Sequence, residues 1–341
     1  MKKIGLFSCF GLSALLAAAA LAQTPPSAAP PTLPTDPAAL LQLGSKVNGL
    51  HGPGLNPWHV RASWQILDDK GQPLHHGTYE EWWAADDEFK VDLVADGFHQ
   101  IRWATAQGDF TSGDPGWPAW VFTFVQNTLL DPLPDGGGSS DTRLKFESTS
   151  RPTPSGVCVL AGEKHEKRVT GKFCFTDGKA AIRLNAGAVT QANFDGIMEF
   201  HDRFLARAVH LLRVGMPAIE MYLDAVDDLV PAPGEFNPPA NAVAAPPWAH
   251  VPKGMIIGKR LSGEDLFYPS RTERQRGYTV IELWGVIGLD GRLRNAEIIG
   301  APAELQQQAP ATMKTWRFEV SKLNGVPIEA AASIMIEIET L

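Results

Sequence analysis

The sequence predicts an α+β chain: an antiparallel meander with one wet face, then a compact unit of one main helix over a small three-stranded antiparallel sheet. Three observations predict it. Apolar residues alternate with period two from Trp58 onward, in short runs divided by turn residues. Near the C-terminus, Leu305, Ala309, Met313 and Trp316 recur at helical spacing between two alternating segments. Two Pro/Ala-rich stretches, QTPPSAAPPTLP from Gln23 and the longer run Pro231 to Gly254, divide the chain.

The first element is an export signal. Met1-Lys2-Lys3 is a short basic start, an Ala-rich apolar run follows, and a small-x-small site ends at Ala22 before Gln23. The run approaches the length that spans a bilayer, so an uncleaved anchor is the rival reading. Cys9 lies within this run and leaves with it on cleavage. Removal of residues 1–22 takes two lysines and no acid, moving the formal charge from -8 to -10. An acidic chain without a basic block argues against nucleic acid as a partner, and against electrostatic docking on an anionic membrane. Any membrane contact is therefore assigned to the N-terminal segment.

The predicted parts are a signal peptide at 1–22, a Pro-rich tether at 23–35, a larger domain at 36–230, a linker at 231–254 and a small domain at 255–341. The larger domain opens with a helix. Asp36 caps it, Pro37 suits its first turn, and Leu40, Leu41 and Leu43 begin an apolar face, which the NGLHGPG stretch stops. Val60, Ala62, Trp64 and Ile66 then share one side of a strand. A strand through Gly77 to Trp83 follows, then the acidic turn at Asp86 and Asp87. Phe89, Val91 and Leu93 share one face of the next strand, and FHQIRWAT continues the meander. The run from Pro115 shows helical spacing at Ala119, Phe122, Val125 and Leu129 or Leu130, and Asp131-Pro132 terminates it. Residues 194–212 suit a helix by composition. The turn at Val214 to Pro217 and the alternation after it favour strands.

The stretch GTYEEWWAADDE crowds five acids beside three aromatics. Glu80 and Glu81 are strand neighbours, so they point to opposite faces and do not converge on one substrate. The acids of the turn are too few and too closely spaced for a calcium loop. They read as solvated strand and turn acids. Trp82 and Trp83 also point opposite ways, so one is core. Cys158 and Cys174 flank a polar loop and fall roughly opposite each other if their runs pair. A disulfide is the default in an exported chain. A two-cysteine metal site would need further ligands, and no C-x-x-C spacing supplies them.

The order of features from Asp36 to Pro239 resembles the periplasmic lipoprotein-carrier, LolA-like family: an early helix, G-T-Y-E-E-W-W, an acidic turn, F-K-V-D, an apolar helix ending D-P-L-P, then FDGIMEF and GEFNPP. The chain has Lys90 where that family often has Arg. The resemblance implies an unclosed antiparallel half-barrel with covering helices and an apolar cavity for acyl chains or another lipophilic ligand. Residues Tyr268 to Glu339 resemble the TonB C-terminal domain family. The matching positions are Tyr268-Pro269, Asp290-Gly291, Trp316, Phe318 and Asn324-Gly325, with Glu319-Val320 where a Pro often follows the aromatic. That resemblance implies a protein-interaction module, its partner another envelope protein. Trp316 reads as core, and Trp284 as lying on the outer strand face with Glu282.

No G-x-S-x-G elbow or P-loop occurs. His75 and His76 are adjacent and poor co-ligands, and His201 and His210 lack ligand spacing. No catalytic, cofactor or metal residues are assigned, and the chain is read as non-enzymatic. The expected protein is an exported periplasmic carrier or scaffold. The alternatives are an inner-membrane-anchored, transducer-like protein contacting outer-membrane receptors, and an unrecognised hydrolase. The tether reaches about 40 Å at roughly 3.1 Å per residue, short for a transducer.

Overall fold

The computed structural model describes residues 33–341 apart from 52–53, 69, 115–120, 122–123, 134–141, 148–155, 164–168, 177, 188–189, 214–216, 246–254, 257, 267–276, 302, 324 and 341. The Ala22–Gln23 cleavage site therefore lies outside the described residues, as do Tyr268, Pro269 and Asn324 of the TonB-like motif and Ala119 and Phe122 of the apolar run.

The chain is mostly β, and its first meander runs β1 (Trp58–Leu67), β2 (Pro73–Ala85), β3 (Glu88–Ala95), β4 (Phe98–Thr105) and β5 (Gly108–Gly113). A second series follows: β6 (Thr142–Phe146), β7 (Val157–Glu163), β8 (Val169–Phe175), β9 (Ile182–Gly187) and β10 (Thr190–Asp195). The hairpin β11 (Met198–Phe200) and β12 (Arg203–Leu205) interrupts it before β13 (Ala208–Arg213), β14 (Ala218–Asp228) and the short β15 (Val243–Ala244). All except the β11–β12 hairpin join one 13-stranded antiparallel sheet in the order β15-β5-β4-β3-β2-β1-β14-β13-β10-β9-β8-β7-β6. Two meanders thus meet where β14 pairs with β1. The end strands β15 and β6 do not pair, so the sheet stays open. Residues 194–212 are strands and a hairpin.

Strand alternation decides the faces. Val60, Ala62, Trp64 and Ile66 on β1 are buried, with Tyr79 and Trp83 on β2, Phe89, Val91 and Leu93 on β3, and Ile219, Met221 and Leu223 on β14. Residues paired across antiparallel strands share a face, so these side chains form one apolar layer. Gly77 sits directly across from Trp64 in the pairing of β1 with β2. A Cβ there would fall 2.5 Å from the Trp64 ring and 2.1 Å from the Val94 carbonyl oxygen, so only glycine lets the indole lie on β2.

Among the described residues, little helix covers this layer. Helix α1 (Pro37–Val47) begins as the sequence predicts, with the Ala39 N–H donating to Asp36 Oδ2 at 2.8 Å and Pro37 in the first turn. Asn48 at its end is buried and bonds in three directions: Nδ2 donates to the Gly44 and Ala180 carbonyls, and Oδ1 accepts from the Ile182 N–H at 2.8 Å. One amide therefore ties the helix end to the start of β9. A π-helical turn (Val125–Leu130) buries Val125, Leu129 and Leu130.

The C-terminal strands are β16 (Met255–Ile256), β17 (Arg260–Ser262), β18 (Gly277–Ile287), β19 (Leu293–Gly300), β20 (Arg317–Phe318), β21 (Lys322–Leu323), β22 (Val326–Pro327) and β23 (Ala330–Thr340), with helix α2 (Ala303–Met313) after β19. They form three sheets: β19-β18-β23, β17-β20 and β16-β21-β22. Leu305, Ala309, Met313, Trp316 and Phe318 pack with Ile281, Leu283 and Ile287 in one cluster. Asp290-Gly291 makes the turn between β18 and β19, and Asp290 Oδ1 accepts from the Arg292 N–H at 3.1 Å. Trp284, on the opposite face of β18, is buried in the apolar cluster of the large sheet.

The α+β expectation is therefore corrected. The protein is a mostly β chain organised by one large sheet, and its C-terminal segment is not a small unit of three strands and one helix. Helices are few among the described residues, and strands too short to show a period add two small sheets. Trp284, expected on an outer face, is core, and β18 is buried on both sides. A stand-alone unit with one helix over its sheet would leave the second face wet.

Two stability measurements follow. Replacing Asn48 with Ala strands the Ile182 N–H and removes the side-chain donor to the Ala180 carbonyl, while the Gly44 carbonyl keeps the residue-48 backbone N–H, and should cost about 2 kcal/mol in denaturant unfolding. Replacing Cys158 and Cys174, which are disulfide-bonded at a sequence separation of 16, should cost about 3 kcal/mol and abolish the difference between oxidised and reduced wild-type midpoints.

Candidate functional site

Two adjacent glutamates on β2 have opposite fates. Glu80 points to the outer face, where His59 Nε2 lies 2.7 Å from its carboxylate. The half-exposed Trp82 stacks on His59 with ring centres 4.8 Å apart, and Lys90 Nζ sits 3.8 Å above the Trp82 ring. Lys90 also bonds Glu235 at 2.8 Å, anchoring the second Pro-rich stretch on this face. Glu81 points inward and is 0% exposed. Opposite faces are as the sequence predicts, but solvation of Glu81 is not. It shares the phase of Tyr79 and Trp83 on the buried side, and that phase was the signal that marked it.

A buried carboxylate needs a partner, and Glu81 has two. His51 Nε2 lies 2.9 Å from Oε1, and the Tyr79 hydroxyl donates to Oε2. The other ring nitrogen of His51 bonds the Asp131 carboxylate, whose Oδ1 also accepts the His51 backbone N–H at 3.2 Å. The four side chains arrive from three parts of the chain. Tyr79 and Glu81 come from β2, His51 from the segment after α1, and Asp131 from the residue after the π-helical turn. The sequence reading used the NGLHGPG segment and Asp131 only as helix stops. A Cβ at Gly49 would fall 2.6 Å from Asp131 Oδ1, so glycine leaves room for that carboxylate beside His51. The Leu50 N–H donates to the Leu130 carbonyl at 3.1 Å beside the cluster.

Burial pulls the His51 imidazole toward neutrality. The charge of Glu81, then that of Asp131, and the bonds to both outweigh it and hold its pKa well above 6.5. Burial and the neighbouring Glu81 carboxylate push the Tyr79 phenol up, keeping it a donor. Solvent reaches only the outer part: the His51 and Asp131 side chains are 20% and 29% exposed. With both ring nitrogens engaged, His51 is not poised as a base toward a substrate. Among the described residues no group of three or more His, Cys, Asp or Glu is arranged to hold a metal ion.

The polar patch continues across the sheet. Glu81 pairs with Val91 and Val91 with Arg102, which puts Arg102 on the same inner face. Arg102 Nε donates to Gln100 Oε1 at 2.6 Å, and burial lowers its pKa to about 10 against the pull of Tyr79 and Asp109. The indole N–H groups of Trp64 and Trp83 are buried without an acceptor among the described residues, each an arrangement that costs about 1–3 kcal/mol.

The other histidines are not brought together as a site. His75 and His76 both approach Asp96, at 3.6 and 3.3 Å, in an exposed ion-pair cluster. His201 meets Asp228, and His210 meets Glu220. Cys158 and Cys174 are direct cross-strand partners on β7 and β8 and form the predicted disulfide. Of the TonB-like positions described, Gly291 and Gly325 lie in turns, and Trp316 and Phe318 are core.

No protein-family model matches the chain, and no curated protein matches it, so the TonB-like resemblance rests on its motif residues alone. Among solved structures, the chain is similar to a LolA superfamily protein from Nitrosomonas europaea, at 7% identity and TM-score 0.34, covering 59% of this chain and 97% of that one. It is similar to a DUF1329 family protein from Desulfovibrio piger, at 12% identity and TM-score 0.31, covering 59% and 96%. A structure of the Pseudomonas aeruginosa MucA/MucB complex matches at 12% identity and TM-score 0.24, over 82% and 96%. At scores this low these matches carry no argument about function.

The raised pKa of His51 has a sign. A histidine held above its unfolded value contributes stability that is fully present below about pH 6.5 and is lost as pH rises through the folded-state pKa. Wild-type stability should therefore fall across the alkaline side of neutrality, and His51→Gln should flatten that slope in denaturant titrations at stepped pH. Glu81→Ala, which strips His51 and Tyr79 of their shared partner, should cost about 3–5 kcal/mol.

Proposed function

We propose that this is an exported, periplasmic, non-enzymatic binding protein whose open sheet holds a lipophilic ligand, as a carrier or scaffold. The supporting observation is the continuous apolar face from β3 through β2, β1 and β14 to β13, presented by a single sheet and covered by few helical turns among the described residues. Export rests on the signal-like segment at 1–22, with cleavage between Ala22 and Gln23. The disulfide agrees with an oxidising compartment. No described helix is long and apolar enough to cross a membrane.

Native mass spectrometry of the protein purified from periplasm without reductant tests the reading. The expected species begins at Gln23, is two hydrogens light and carries an extractable lipid adduct. A protein that stays ligand-free after incubation with lipid overturns the carrier function. A chain recovered intact from membranes, retaining residues 1–22, supports the anchored alternative.

A further inference from the structure

Trp58 and Trp83 face each other across β1 and β2 and stack with centres 5.6 Å apart and planes 13° from parallel. Their indole N–H groups are treated differently. Trp58 Nε1 donates to the Leu50 carbonyl at 3.2 Å. Trp83 Nε1 has no acceptor among the described residues, although Trp83 is only 5% exposed. An indole N–H only donates, so an acceptor must satisfy it. The nearby carboxylates are already engaged: Glu81 by His51 and Tyr79, Asp131 by His51. Trp64, 2% exposed and farther along the same face, repeats the pattern. The inner face therefore carries buried donors that its own acceptors leave unmatched, set among apolar side chains.

We propose that Trp83 is a specificity-determining residue whose indole N–H receives the carbonyl oxygen of an acyl ester, while the hydrocarbon chain lies along the apolar row of β1, β2 and β14. The inference rests on the carrier reading above and names the ligand class for that face. A neutral ester fits better than a free carboxylate, because the adjoining cluster holds two carboxylates against one imidazole. A plain hydrocarbon would leave the donor unmade. Trp83 is buried, so a ligand reaches the N–H only if the cover moves; His51, 20% exposed, stands edge-on to Trp83 with ring centres 6.3 Å apart.

The test is competition against N-phenylnaphthylamine bound to the mature protein, using dodecane, dodecanoic acid and methyl dodecanoate. The ester should compete about tenfold better than the alkane, the effect of one good hydrogen bond, and better than the acid. Trp83→Phe, which keeps an aromatic ring and removes the donor, should bring the ester's competition down to that of dodecane measured on the same variant. If the ester and the alkane compete equally in the wild type, if the acid binds best, or if Trp83→Phe keeps the preference, the assignment to Trp83 fails while the carrier function stands. If the probe binds but none of the three displaces it, or if the probe does not bind, the carrier function itself fails. Should Trp83→Phe not fold, NMR of nitrogen-labelled tryptophan in the wild type decides the point. Methyl dodecanoate should shift the Trp83 indole signal downfield and dodecane should not, and equal spectra overturn the proposal.

Discussion

The organisation of the N-terminal region turns on the partnering of one buried carboxylate. Glu81 projects from the middle of β2 into an apolar layer, where an unpaired charge is far too costly to persist. Its partners come from two other parts of the chain: His51 directly, and Asp131 through His51. Satisfying Glu81 therefore brings the end of the α1 segment and the end of the π-helical turn down onto the sheet. The Leu50–Leu130 backbone bond, the Trp58–Leu50 bond and the close approach of Gly49 to Asp131 accompany that convergence.

The sheet supplies the platform, and the same strand serves two chemistries. Inward, β2 contributes Tyr79, Glu81 and Trp83 to a polar inlay within an apolar face. Outward, it contributes Glu80 and Trp82 to a ladder with His59 and Lys90, onto which Glu235 closes. The second Pro-rich stretch is held there by that ion pair, and β15 adds it to the edge of β5. Surface ion pairs of this kind contribute little energy individually. The same segment also buries Phe236, next to Glu235, so the ion pair acts beside an apolar anchor.

The C-terminal segment shows how a correct local pattern leads to a wrong architecture. Helical spacing in α2 and alternation in β18 and β23 are visible in the sequence, and Trp316 is core as the spacing implies. Periodicity says which residues share a face, yet not whether the other face is covered. Trp284 answers that question through its burial in the large cluster, and the small flanking sheets are two or three residues per strand, below any detectable period.

Strands β1 to β4 with their inward residues, the Asp36 cap and the Cys158–Cys174 pairing were legible from the residues. The His51–Glu81–Asp131–Tyr79 cluster was not, although Glu81 stood in the buried phase of its strand. The sequence by itself determined what depends on near neighbours: alternation, capping and hairpin pairing act over a few residues, so their signatures lie in contiguous text. Only the tertiary structure decided the polar cluster and the second buried face of β18. His51 lies 30 positions from Glu81 and 80 from Asp131, and no local periodicity reports on a contact that exists only once the sheet and its cover have been brought together.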